Sequence, residues 1–253
     1  MSRNELDQEQ SPYLRAAAHQ PVHWLPWSEA ALARARAEDK PILMDIGAVW
    51  CHWCHVIDHE SYDDPAVAAI INAQFVAVKV DRDERPDIDA RYQHAVSAIT
   101  GQGGWPLTAF LTPDGRVFYG GTYFPPDDAH GRPGFKRVLL SAAAYYREHK
   151  EDAVEAAAQL HGRLAAMLRP AGGGTLHPDL LGAAVASIVR QADPTHGGFG
   201  GAPKFPHTAT LELLLRRAFR TGDARLLDIV TRTLDRMAHG GIRDHLGGGF
   251  HRY

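Results

Sequence analysis

The chain has 253 residues, 45% of them hydrophobic and 23% charged, and a formal net charge of -3. That length can bury a sizeable core in one large domain or two ordinary ones, and the composition is that of a soluble globular protein. The small net charge argues against nucleic acid or an anionic membrane surface as partner. No apolar run reaches membrane-spanning length and residues 1–20 lack the apolar stretch of a signal peptide, so a cytoplasmic protein is expected.

Residues 1–27 read as an irregular lead-in rich in proline and aromatics (Pro12, Tyr13, Pro21, Trp24, Pro26, Trp27). Ser28 can cap a helix over 29–38, and residues 41–46 then form a strand apolar on both faces, as a central strand would be. Residues 51–62 lack proline and glycine and suit a helix. Asp64-Pro65 opens another, with Asp64 as cap and Pro65 in the first helical position. A second strand is predicted over 75–80 and a helix over 87–100, ended by Gly101-Gln102-Gly103-Gly104. Strands at 107–111 and 116–119 flank the turn Thr112-Pro113-Asp114-Gly115, and 133–168 is a long alanine-rich helical stretch with a break expected near Glu148-His149-Lys150. This order predicts an α/β domain with a mixed sheet over residues 1–170.

A linker is read at residues 170–175, after which strand signals stop. Residues 171–253 form a second, helical segment, with helices near 177–192, 207–220 and 223–239. Asp193-Pro194-Thr195-His196-Gly197-Gly198-Phe199 and Asp244-His245-Leu246-Gly247-Gly248-Gly249-Phe250 share Asp, Gly-Gly and Phe at a spacing of 51 residues. Helices separated by such a repeated turn mark a helical-hairpin array. One and a half units cannot close a core, so the chain is expected to be part of a longer protein.

The only two cysteines, Cys51 and Cys54, lie three positions apart. Such a pair in a reducing compartment is more often catalytic or metal-binding than structural. Placed after a buried strand at the start of a helix, Cys51 would be held as a thiolate by free N–H groups and the helix dipole. It would attack a disulfide, and Cys54, one turn on and more buried, would resolve the mixed disulfide. His52 and Trp53 between them would tune the thiolate, and a protonated His52 would make the couple more oxidising. Trp50 can cover one side. Asp45, on the strand that delivers Cys51, is a candidate proton acceptor for Cys54, balanced by Lys79 on the next strand. Trp105-Pro106, after a glycine-rich loop and before a strand, fits either a trans proline starting an edge strand or a cis bond that holds the backbone against the dithiol and offers Trp105 main-chain groups to an extended substrate. No cofactor is called for.

Trp50-Cys51-His52-Trp53-Cys54, together with Asp45, Lys79 and Pro106, resembles thioredoxin in the role of each position. More narrowly, five separated segments resemble the family named for spermatogenesis-associated protein 20: Ser11-Pro12-Tyr13-Leu14, Cys51 to Val56, Lys79-Val80-Asp81-Arg82, Thr100 to Pro106 and Gly120 to Pro126. The match continues through Ala202-Pro203-Lys204-Phe205-Pro206 to Gly247–Tyr253. The resemblance implies a thioredoxin-like fold followed by the opening of an (α/α) toroid, like those of six-hairpin glycosidases and sugar epimerases. Ala17 and His23 depart from the family's usual His and Asp, which counts against a polar role for residues 11–24. Asp45 and Trp50 stand where Ser and Thr are common, which moves this chain toward ordinary thioredoxin.

Three other readings compete with a thiol–disulfide oxidoreductase acting on a protein or small-molecule disulfide. Cys51-His52-Trp53-Cys54-His55 is a c-type haem attachment pattern, although haem loading normally requires export. Cys51 and Cys54 with His52, His55 and His59 could meet a cation such as zinc, but no second cysteine pair exists to complete a common site. Alternatively, the dithiol is a structural or sensing module for a carbohydrate-active toroid, with His207, Asp244, His245, His251 and Arg252 near a sugar site. The sequence does not specify an oligomeric state.

Overall fold

A computed structural model describes residues 4–129, 131, 133–167, 177 and 179–252. The chain divides into two compact units, Met1–Arg169 and Pro170–Tyr253. The linker predicted at 170–175 lies outside the described residues.

In the first unit α1 (Pro12–Ala16) and β1 (Leu25–Pro26) precede α2 (Glu29–Glu38), which starts where Ser28 accepts the Ala31 N–H. The central strand β2 (Ile42–Gly47) leads into α3 (His52–Ile57), which widens without a break into a π-helical turn over Asp58–Tyr62. Then come α4 (Pro65–Gln74), β3 (Val76–Asp81), α5 (Pro86–Thr100), β4 (Leu107–Leu111), β5 (Val117–Gly121), α6 (Phe135–Glu148) and α7 (Lys150–Met167). The break expected in the alanine-rich stretch falls at His149.

The five strands form one mixed sheet in the order β1-β3-β2-β4-β5. Strand β3 runs parallel to both β1 and β2, while β4 is antiparallel to β2 and β5. Alternation along the strands divides the core into two layers. Ile42, Met44 and Ile46 of β2, with Val76, Val78 and Val80 of β3, pack on one face with residues of α2 and α5. Leu43, Ala77 and Phe110 point to the other face, which α1, α3, α4 and α6 cover. By the same alternation Asp45, Lys79 and Thr108 belong to that second face. They are also register partners, Asp45 opposite Lys79 on one side and Thr108 on the other. A row of three polar residues therefore crosses the middle of the sheet, and all three are fully buried.

The irregular lead-in expected for residues 1–27 is corrected by the structure. Leu6, Tyr13, Val22 and Trp24 are fully or almost fully buried in the second layer, and β1 adds an edge strand beside β3. Periodicity missed these elements because α1 is barely more than one turn and β1 has two residues. Tertiary burial, rather than a repeating pattern, defines them.

The second unit contains α8 (Asp179–Gln191), α9 (Thr208–Thr221) and α10 (Ala224–His239), packed through Val185, Leu211, Leu214, Ala218, Leu226 and Val230. The two similar segments predicted after α8 and α10 fold alike. Asp193 Oδ1 accepts the N–H groups of Thr195 and His196, and Asp244 Oδ1 those of Leu246 and Gly247. In each turn two successive glycines take positive φ and a phenylalanine closes a bridge, Ala192 with Phe199 and Arg243 with Phe250.

Candidate active site

Cys51 and Cys54 are joined in a disulfide. Cys51 is the N-cap of α3, and its Sγ accepts the Cys54 N–H at 3.1 Å. Strand β2 ends at Gly47, so the buried sheet delivers the pair to the start of the helix. Both cysteines are buried, Cys51 at 2% exposure and Cys54 at 0%. The expected contrast between an accessible and a covered sulfur is therefore small at the level of whole residues.

The Lys79 ammonium donates to Asp45 Oδ2 at 2.7 Å and to Asp58 Oδ1 at 2.8 Å. Asp58 is the first residue of the π-helical turn. Three rings enclose the ammonium, with centroids at 4.7 Å for Tyr13 and 5.1 Å for both Trp24 and Tyr62. Asp45 Oδ2 also accepts from the Tyr13 hydroxyl at 2.8 Å, and Oδ1 from Tyr62 at 3.4 Å. Burial pushes the Asp45 carboxyl up; Lys79 pulls it back, but the nearby Asp58 charge adds to the rise and the balance lies above the ordinary range. Burial lowers Lys79, yet Asp45 and Asp58 together outweigh it and hold the ammonium charged. Tyr13 and Tyr62 are raised well above the usual phenol, by burial first and then by the two carboxylates.

The lead-in segment holds this arrangement from below. Ser11 Oγ caps α1 by accepting the Leu14 N–H and donates to Asp81 Oδ2 at 2.6 Å. The expectation that residues 11–24 lack a polar role is thus corrected: Ser11 and Tyr13 each bond a carboxylate on the sheet, and Gln20 donates to Asp58. Tyr13, Asp58 and Tyr62 were not anticipated as site residues. The Ser11–Leu14 segment carried a signal for Tyr13, but only the fold shows which strand it meets.

Around the dithiol, Trp50 and Trp53 are 51% and 44% exposed. Trp50 does not need the sulfurs as its partner: its Nε1 donates to Asp83 and its ring meets Trp105 edge-on at 5.8 Å. Trp105 Nε1 donates to Asp89, and the Arg82 guanidinium lies 4.6 Å from the Trp105 centroid and 5.6 Å from that of Trp50. Trp53 packs between His52 and Tyr123. The Trp105-Pro106 bond is cis, and Pro106 lies one residue beyond the Ile46–Leu107 pair, toward Gly47.

The histidines of the metal reading turn to separate partners. His52 meets the Trp53 ring, His55 Nε2 lies 2.7 Å from the Val49 carbonyl, and His59 faces Asp63 at 3.7 Å. Among the described residues no group of three or more His, Cys, Asp or Glu side chains is arranged to hold a metal ion. In the second unit, Asp244 caps its own turn, while the Arg252 guanidinium lies over the Phe205 ring.

This sheet order, with a bonded Cys-x-x-Cys on the helix leaving the central strand and a buried acid on that strand, is the construction of a thioredoxin-like disulfide module. The chain belongs to the family described as "Thioredox_DsbH: Protein of unknown function, DUF255", matched over residues 3–165. It is 41% identical to "Uncharacterized protein B0495.5" of Caenorhabditis elegans, over 99% of this chain and 35% of that one. It is 39% identical to "Spermatogenesis-associated protein 20" of Homo sapiens, over 99% of this chain and 33% of the relative, which confirms the resemblance read from the motifs. The chain thus spans about a third of the length of these curated relatives. A solved structure named "DsbH Oxidoreductase" is 18% identical, with a TM-score of 0.37 over 54% of this chain and 92% of that one.

Proposed function

We propose that the first unit catalyses thiol–disulfide exchange, with Cys51 as nucleophile, Cys54 as resolving thiol and Asp45 as proton acceptor. The observation that carries this reading is the Cys51–Cys54 bond at the N-terminus of α3, where Cys51 Sγ already accepts a main-chain N–H. In the reduced protein that N–H supports a Cys51 thiolate. The thiolate attacks a substrate disulfide, forming a Cys51–substrate bond and releasing one substrate thiolate. Cys54 then loses its proton toward Asp45 and attacks Cys51 Sγ, expelling the second substrate thiolate. Two electrons pass from the dithiol to the substrate, and solvent protonates the leaving groups. Lys79 keeps the buried Asp45 available as an anion, and a positive charge on His52 would favour the Cys51 thiolate and with it the reduced form of the couple.

Trp50, Trp53, Trp105 and Pro106 form the proposed substrate-binding rim, suited to an extended polypeptide. The burial of Cys51 favours a second reading, a structural or sensing disulfide attached to a carbohydrate-active toroid, of which the repeated turns of the second unit would be the opening. Equilibration with glutathione and trapping of free thiols separates the two. A two-electron transition within about -270 to -120 mV, with turnover of a generic disulfide abolished by Cys51→Ser, supports exchange. Turnover that survives Cys51→Ser overturns it.

A further inference from the structure

A residue from outside the sheet and the dithiol helix bonds the proton acceptor and lies near the resolving sulfur. A Cβ built on Gly47 would collide with the Tyr13 hydroxyl and stand 2.7 Å from Cys54 Sγ. The absence of a side chain at Gly47 therefore lets the Tyr13 hydroxyl and Cys54 Sγ both approach the same point above its backbone. On its other side the same hydroxyl donates to Asp45 Oδ2 at 2.8 Å. Tyr13 is 1% exposed and Cys54 0%, so bulk water has little access to either group. A phenol both donates and accepts, which suits it to pass a proton on without becoming charged.

We propose that Tyr13 is the proton relay of the resolving step, an inference that rests on the exchange reading above. As Cys54 attacks Cys51 Sγ in the mixed disulfide, its thiol proton moves to Tyr13 Oη while the Tyr13 proton moves to Asp45 Oδ2. The S–S bond between Cys54 and Cys51 forms, the bond from Cys51 to the substrate breaks, and the substrate sulfur leaves with the electron pair. Asp45 ends protonated and returns its proton to solvent or product before the next cycle. The groups facing the relay are Asp45 and Lys79 on the sheet, and Asp58 and Tyr62 on the π-helical turn. The phenol remains neutral throughout, in keeping with its burial against two carboxylates.

The test is a single turnover of the reduced protein with excess aromatic disulfide, which releases one thiol on Cys51 attack and a second on Cys54 attack. Tyr13→Phe is expected to leave the first phase unchanged and slow the second by about tenfold or more across the pH range. Asp45→Asn should slow the same phase, and the double variant should be no slower than the slower single variant, because both substitutions cut one path. A purely structural Tyr13 would instead displace the pH profile through Asp45 while leaving its plateau intact. That result, an unchanged second phase, or slowing that multiplies in the double variant overturns the relay. If Tyr13→Phe does not fold, 3-fluorotyrosine at position 13 keeps the ring and alters the phenol's acidity; an unchanged second phase then overturns the relay equally. Loss of both phases in the unsubstituted protein overturns the exchange reading itself, whereas two normal phases with no effect of Tyr13 overturn the relay alone.

Discussion

Asp45 and Lys79 are register partners on adjacent parallel strands, and their side chains meet at 2.7 Å with no exposure to solvent. Lys79 also carries Asp58, so a single ammonium balances two carboxylates. Charges so deeply placed are costly to desolvate, and removing one member leaves the others uncompensated. Lys79→Met is therefore expected to destabilise the first unit by about 3–5 kcal/mol, read as a lower denaturant midpoint. A loss below about 1 kcal/mol would show that the two carboxyls become neutral at little cost.

The raised Asp45 carboxyl sets a pH dependence whose sign is defined. A carboxyl that holds its proton more tightly folded than unfolded favours folding below the unfolded value of about 3.9, and that contribution fades as pH rises through the folded value. Asp45→Asn lacks this loss. Its stability relative to the unsubstituted protein should grow as pH rises above about 4 and level off once Asp45 is ionised. Urea unfolding at a series of pH values measures it, and a difference that does not change with pH would contradict the raised value.

Gly47→Ala would place a methyl between the Tyr13 hydroxyl and Cys54 Sγ. The expected cost is about 1–3 kcal/mol of overpacking. Displacing either group should also slow the Cys54 step in the same single-turnover assay. Normal stability and normal kinetics together would mean that the gap relaxes freely.

Ser11 joins the lead-in to the sheet with two hydrogen bonds, one capping α1 and one on Asp81. Ser11→Ala should cost about 1–3 kcal/mol and increase hydrogen exchange across residues 12–16. Unaltered exchange there would assign the docking of this segment to Tyr13 and Trp24 alone.

Trp53 is largely a surface residue, packed on Tyr123 and His52. Trp53→Ala should change stability by about 0.5 kcal/mol or less. If the aromatic rim receives polypeptide, the variant raises KM for a peptide disulfide and leaves reaction with a small aromatic disulfide intact. Equal effects on both substrates would place Trp53 in dithiol tuning instead.

The order of elements and the position of the dithiol were legible because they depend on local signals. Ser28 and Asp64 cap helices with their own side chains, β2 and β3 are apolar runs interrupted by Asp45 and Lys79 with Asp81 closing β3, and Gly-Gly-Phe recurs at the ends of α8 and α10. Asp45 and Lys79 stand out in sequence because a charge within a buried strand needs a partner. What surrounds them does not follow from spacing. Tyr13 comes 32 residues before Asp45, from a helix too short to show a period, and Asp58 reaches Lys79 from a π-helical turn with no distinct sequence pattern. Capping, alternation and turn chemistry act over a few residues and are written along the chain. The meeting of Tyr13, Cys54 and Asp45 across Gly47 depends on how separate segments close over the sheet, and only tertiary packing decides that.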